Sequence, residues 1–174
     1  MSRSGLFVGV AVLSVAATVA LAQPPPRIDP SGWKTYRNET MGFELKHPNT
    51  WLVGLTTGTL QSVLLNEPAQ AGKPIVPMQL FVQRKINPRG LPIDRWYADQ
   101  LKRLKAAAPP PKHTVIGGRP TLLREAEGTF GRHYDFFTSL NKTDVFQVSV
   151  TQSSPQAPLD QMFQAILSTI KFTN

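Results

Sequence analysis

His133 and Asp135 stand two residues apart, and so do Glu125 and Glu127. In an extended strand that spacing puts both members of a pair on one face. Two carboxylates held in unlike environments can divide acid and base roles, as in glycoside hydrolysis. His133 and Asp135 could instead offer two ligands to a metal, with Glu125 or Glu127 a third across a hairpin. The plainer reading of both pairs is a solvated strand face. The other histidines, His47 and His113, give no helical zinc spacing, and no His-Glu-x-x-His occurs. Gly-x-Ser-x-Gly is absent, and no base stands near Ser62, Ser139, Ser149 or Ser153 in sequence. Gly117-Gly118 lacks the glycines and lysine of a phosphate cradle and reads as a turn. Neither a catalytic residue, a metal nor a cofactor is expected.

The sharper signal is charge. Arg84, Lys85, Arg89, Arg95, Lys102, Arg103, Lys105 and Lys112 fall within one stretch, opposed there only by Asp94 and Asp99. The whole chain has 19 Lys+Arg against 11 Asp+Glu, a net charge of +8, so this stretch holds most of the surplus. It predicts a docking surface for an anionic partner, with Arg84, Lys85, Arg89, Arg95, Lys102, Arg103 and Lys105 in contact. The alternative is a helix face made soluble by its charges. Nucleic acid is not the expected partner, because Trp96 and Tyr97 fall on the apolar stripe and leave no stacking platform.

These residues need elements to position them. Ile93, Trp96, Tyr97, Leu101, Leu104 and Ala108 recur at helical spacing, so a helix is expected from Pro92 to Ala108, ended by Pro109-Pro110-Pro111. A second helix is expected where Leu159, Met162, Phe163, Ile166, Leu167 and Ile170 form one apolar face. Strands are read at 42–46, 59–65, 78–84, 113–116, 120–127, 130–139 and 145–151, with a turn-rich connection at 69–74. Phe130, Tyr134 and Phe136 share one parity; Phe146, Val148 and Val150 lie toward one side of another run. Strand runs with two one-sided helices predict an α+β class, an antiparallel β-sheet sandwiched by helices.

Composition sets the compartment. Residues 1–22 combine Arg3, an apolar run from Leu6 and an Ala20-Leu21-Ala22 cleavage box, the pattern of a Sec-type signal peptide cleaved after Ala22. Pro24-Pro25-Pro26 makes 23–32 a tether, and 33–174 is expected to form a single domain. The chain has no cysteine, so disulfides, thiol chemistry and a lipoprotein anchor are excluded. An exported chain without disulfides fits a bacterial periplasmic or secreted protein, with no transmembrane anchor after cleavage.

The stretch from Tyr36 through Gly42-Phe43 and His47-Pro48 to Trp51 resembles the opening of PsbP-like domains. The Val115–Pro120 turn, the meander after it and the closing Ile170-Lys171-Phe172 are similar as well. His47 departs from the family's usual tyrosine. The resemblance spans about residues 33–172 and implies an α/β/α sandwich and an accessory or binding role. The expected function is therefore an exported, non-enzymatic module docking an anionic envelope component or an acidic protein. The alternatives are a small acid–base enzyme with a cleft on the sheet face, or a binder of an apolar ligand or peptide.

Overall fold

A computed structural model describes residues 27–56, 62–68, 78–106, 108–128, 131–152 and 159–173. The signal segment 1–22, Pro24–Pro26, the 69–74 connection and Phe130 lie outside the described residues.

Ten strands and two helices follow in order: β1 (Lys34–Asn38), β2 (Phe43–His47), β3 (Leu52–Thr56), β4 (Ser62–Asn66), β5 (Gln79–Ile86), α1 (Ile93–Leu104), β6 (Lys112–Ile116), β7 (Arg119–Gly128), β8 (Gly131–Ser139), β9 (Asp144–Gln152), α2 (Gln161–Ser168) and β10 (Lys171–Phe172). Seven strands form an antiparallel sheet in the order β3-β4-β5-β9-β8-β7-β6. A second, three-stranded antiparallel sheet has the order β1-β2-β10.

Alternation along the strands sorts the two cores. Tyr134, Phe136, Phe146, Val148 and Val150 face one way, together with Val63, Leu65, Leu80 and Val82. They pack against Met41, Phe43 and Leu45 at β2 and against Phe163, Ile166 and Leu167 of α2. Phe146 is the hinge of this layer, edge-on to Phe43 at 4.9 Å and to Phe172 at 5.1 Å. On the opposite face, Leu122, Phe137 and Val145 pack beneath Trp96 and Tyr97 of α1.

The fold corrects the expected helix-sandwiched sheet. Strands take 50% and helices 16% of the described residues, and two antiparallel sheets make it a β-rich fold rather than an α/β/α sandwich. Geometry explains why two helices do not suffice. At 1.5 Å per residue a 12-residue and an 8-residue helix are about 18 and 12 Å long. Seven strands spaced about 4.8 Å apart span roughly 30 Å. The small sheet supplies the missing cover on the larger core, sharing that layer with α2.

Local chemistry sets several boundaries. Gly117 and Gly118 take φ of 56° and 77°, closing a two-residue turn between the paired Ile116 and Arg119. A side chain at Gly117 would also meet the Phe172 ring at 2.9 Å, so the turn is packed directly on β10. Asp160 caps α2 by accepting from the Met162 N–H at 2.7 Å. The first helix is shorter than expected. Lys105 turns left-handed with φ 50° and ends it at Leu104, which is 73% exposed rather than part of the buried stripe.

Candidate functional site

The basic stretch folds around one end of α1. After β5, Asn87 is buried and clamps the turn to itself. Its side chain donates to the Leu91 carbonyl at 2.8 Å and accepts from the Leu91 N–H at 3.0 Å. Gly90, with φ of 59°, completes the reversal. Trp96 Nε1 donates to the Ile86 carbonyl at 3.1 Å, fixing the helix against the strand end. The turn then lifts Arg89 to Asp99, where Nη2 meets the carboxylate at 2.6 Å.

Between this turn and α1 lies a groove of about 720 Å3, lined by Lys85, Arg89, Arg103, Trp96, Asp99 and Gln100 among others. Asp99 sits inside it and is also 3.9 Å from Arg103. The Arg89 hydrogen bond, with the charges of Arg89, Arg103 and Lys102 added, holds the Asp99 carboxyl below the ordinary carboxylate range. Three cations thus surround one anion, and the groove is positive at neutral pH. Lys85 has no ion pair among the described residues.

The seven predicted contact residues do not share one surface. Lys85, Arg89 and Arg103 line the groove. Arg95, Lys102 and Lys105 are exposed on the adjoining helix. Arg84 is separate. It pairs across to Phe146, on the larger-core face of the sheet, and its Nε donates to Asp144 at 2.7 Å. Lys112, also in the stretch, binds Glu125 at 2.5 Å.

The Arg84–Asp144 pair has a consequence for acid stability. Burial alone would raise the Asp144 carboxyl. The bonds from Arg84, Asn141 and Thr143 and the guanidinium charge outweigh it, and the pKa lies below its ordinary 3.8. A carboxyl depressed in the folded state binds fewer protons than when unfolded. Its contribution is complete above about pH 4 and is lost as pH falls through the folded value. The Asp144→Asn variant should therefore lose less stability than the parent between pH 5 and pH 2, measured as the shift in urea midpoint. Equal shifts would remove the pair from the acid response.

The acid–base residues are divided between faces. Cross-strand partners share a face, so Asp135 lies with Arg124 and His133 with Ala126 beneath the α1 side. Glu125 pairs with Tyr134 and Glu127 with Arg132, on the other side. His133 and Asp135 therefore have no glutamate across the hairpin. Asp135 is buried and engaged: Arg124 Nε donates at 2.9 Å, Gln147 Nε2 at 3.1 Å and Ser149 Oγ at 2.5 Å. His133 Nδ1 lies 2.9 Å from Thr151 Oγ1. Glu125 is bridged between Lys112 and Arg132. Among the described residues no three His, Cys, Asp or Glu side chains converge as metal ligands. The sheet face beside α1 is a hydrogen-bonded polar ladder, extended when Gln83 donates to Gln147 at 3.1 Å.

Sequence reasoning missed Arg124, Gln147 and the Tyr97 hydroxyl. Arg124 follows Leu122 at a spacing of two, so strand parity already placed a cation on the face that α1 covers. No comparable pattern marks Gln147 before its partners are known.

Among the described residues no helix is long and apolar enough to cross a membrane. No family model matches the chain, and no curated protein matches it. A crystal structure of a protein from Bacteroides thetaiotaomicron is similar in fold, with a TM-score of 0.53 and 12% sequence identity. The match covers 82% of this chain and 49% of that one, so this chain spans about half of its structural neighbour's length.

Proposed function

We propose that the protein is an exported, non-enzymatic binding module that docks a phosphate-rich envelope lipid through the α1 surface. The carrying observation is the groove of about 720 Å3 lined by Lys85, Arg89 and Arg103 with Asp99 as its acid. Arg95, Lys102 and Lys105 extend its positive charge along the exposed helix. Export rests on the signal pattern of residues 1–22, and kinship with PsbP-like domains rests on the 36–51 sequence motif alone. The non-enzymatic reading is supported by the acids: Asp99, Asp135 and Glu125 are each occupied by guanidinium or ammonium groups.

Vesicles with anionic headgroups should bind the protein at about 0.01 M salt, and binding should weaken steeply near 0.15 M as the Debye length shortens. Each basic residue near such a surface contributes about 1 kcal/mol. The Arg95→Glu, Lys102→Glu, Arg103→Glu triple variant should lose at least about tenfold in affinity by co-sedimentation. Equal binding by variant and parent would sink the reading. Equal binding to neutral vesicles would also sink it.

A further inference from the structure

A smaller groove of about 210 Å3 lies between α1 and the sheet. Trp96 and Gln100 border both grooves, and so does Lys85. The apolar walls here are Trp96, Phe137, Leu101 and Leu104; Lys85 and Arg124 supply the charge. Asp135 takes Arg124 Nε and Nη2, and its remaining oxygen accepts from Gln147 and Ser149. One carboxylate therefore answers two cations, and Lys85 has no ion pair among the described residues.

Tyr97 adds an independent observation. The residue is only 5% exposed, and its hydroxyl has no hydrogen-bond partner among the described residues. A buried hydroxyl left unpaired is costly, and native structures rarely keep one without a reason. The Tyr97 ring lines this groove. Burial raises its pKa, with the Arg124 and Asp135 charges acting in opposite senses, so at neutral pH the group is a neutral donor. The hydroxyl is closed off from bulk solvent, and its residue lines this groove.

We infer that this groove binds a compact organic carboxylate with an apolar ring, its carboxylate between Lys85 and Arg124 and accepting a hydrogen bond from Tyr97. The volume is below the few hundred Å3 of drug-sized sites, which limits the occupant to a small molecule. Aromatic and leucine walls favour a ring over a bare anion, and the charge excess favours an anion over a neutral molecule.

The test uses cyclohexanecarboxylate, its uncharged relative cyclohexanecarboxamide and inorganic phosphate. Each is titrated into the whole protein while a Leu101 methyl resonance, which reports on this groove and not on the larger one, is followed by NMR. The carboxylate should shift that resonance saturably, with the amide and phosphate at least about tenfold weaker. Lys85→Met and Tyr97→Phe should each weaken the carboxylate several-fold. Tyr97→Phe should leave stability unchanged or raised, because the hydroxyl it removes has no partner. No saturable carboxylate binding, phosphate binding as tight as the carboxylate, or undiminished binding by both variants would overturn the inference. The Arg95→Glu, Lys102→Glu, Arg103→Glu variant should keep saturable carboxylate binding, because none of the three residues lines this groove. Loss of vesicle docking and loss of this site are thus separately readable.

Discussion

Phe146→Ala should destabilise the protein by about 4 kcal/mol, within the usual 3–5 for a buried phenylalanine. Phe146 is 1% exposed and fully enclosed. Its ring is wedged between Phe43 of the small sheet and Phe172 of β10. Truncation removes two edge-on aromatic contacts as well as the buried area, and it leaves a void where the two sheets meet. The backbone around it is ladder-bonded on both sides, with Arg84 and Thr138 opposite, so collapse into the void is restricted. A chain of this size should lose roughly 8–16 °C in melting temperature. A loss below about 1.5 kcal/mol in urea titration would mean that the small sheet is held by other contacts.

Arg124→Met should cost about 3 kcal/mol for a different reason. Asp135 is 5% exposed and depends on that guanidinium. Removing the cation leaves a buried carboxylate with only Gln147 and Ser149 as donors. Breaking a buried pair from one side usually costs 3–5 kcal/mol, and the low end applies because the Arg124 side chain is 33% exposed. Adding Asp135→Asn to the same chain should recover about 2 kcal/mol, since no charge then remains buried. If the single variant and the double variant are equally unstable, the loss comes from the packing of the arginine stem and not from the stranded charge.

Much of the sheet was legible. Parity grouped Tyr134 with Phe136, and Phe146 with Val148 and Val150, and both groups lie in the larger core. The one-sided stripe around Trp96 and Tyr97 correctly predicted their burial. Gly117-Gly118 was readable because only a turn with positive φ explains it. What escaped is the second sheet. β1 reads Lys-Thr-Tyr-Arg-Asn, with no inward apolar alternation, because both of its flanks stay largely exposed. β10 has two residues, too few for any period to show. The sandwich expectation failed at those strands, since apolar surface assigned to helices is in fact met by β2 and its partners. At the site, charge clustering found Lys85, Arg89 and Arg103, but strand alternation should have separated Arg84 from Lys85 at once. The bonds around Asp135 join three strands, and no spacing in one segment encodes them.

The small sheet also has a place in time. Its central strand, β2, pairs with β1 nearby and with β10 near the other end of the described chain. The Lys46 N–H donates to Thr169 Oγ1 at 2.8 Å across 123 residues. The turn at Gly117, too, leaves no room for a side chain beside Phe172. Contacts of such separation close late, because the loop entropy is lost before the contact forms. During synthesis the large sheet can pair strand by strand while the β2 face of the aromatic core still lacks its last partner. A chain halted before residue 172 would keep Phe43 and Phe146 without their third ring. Full burial of the aromatic core thus waits on the last strand.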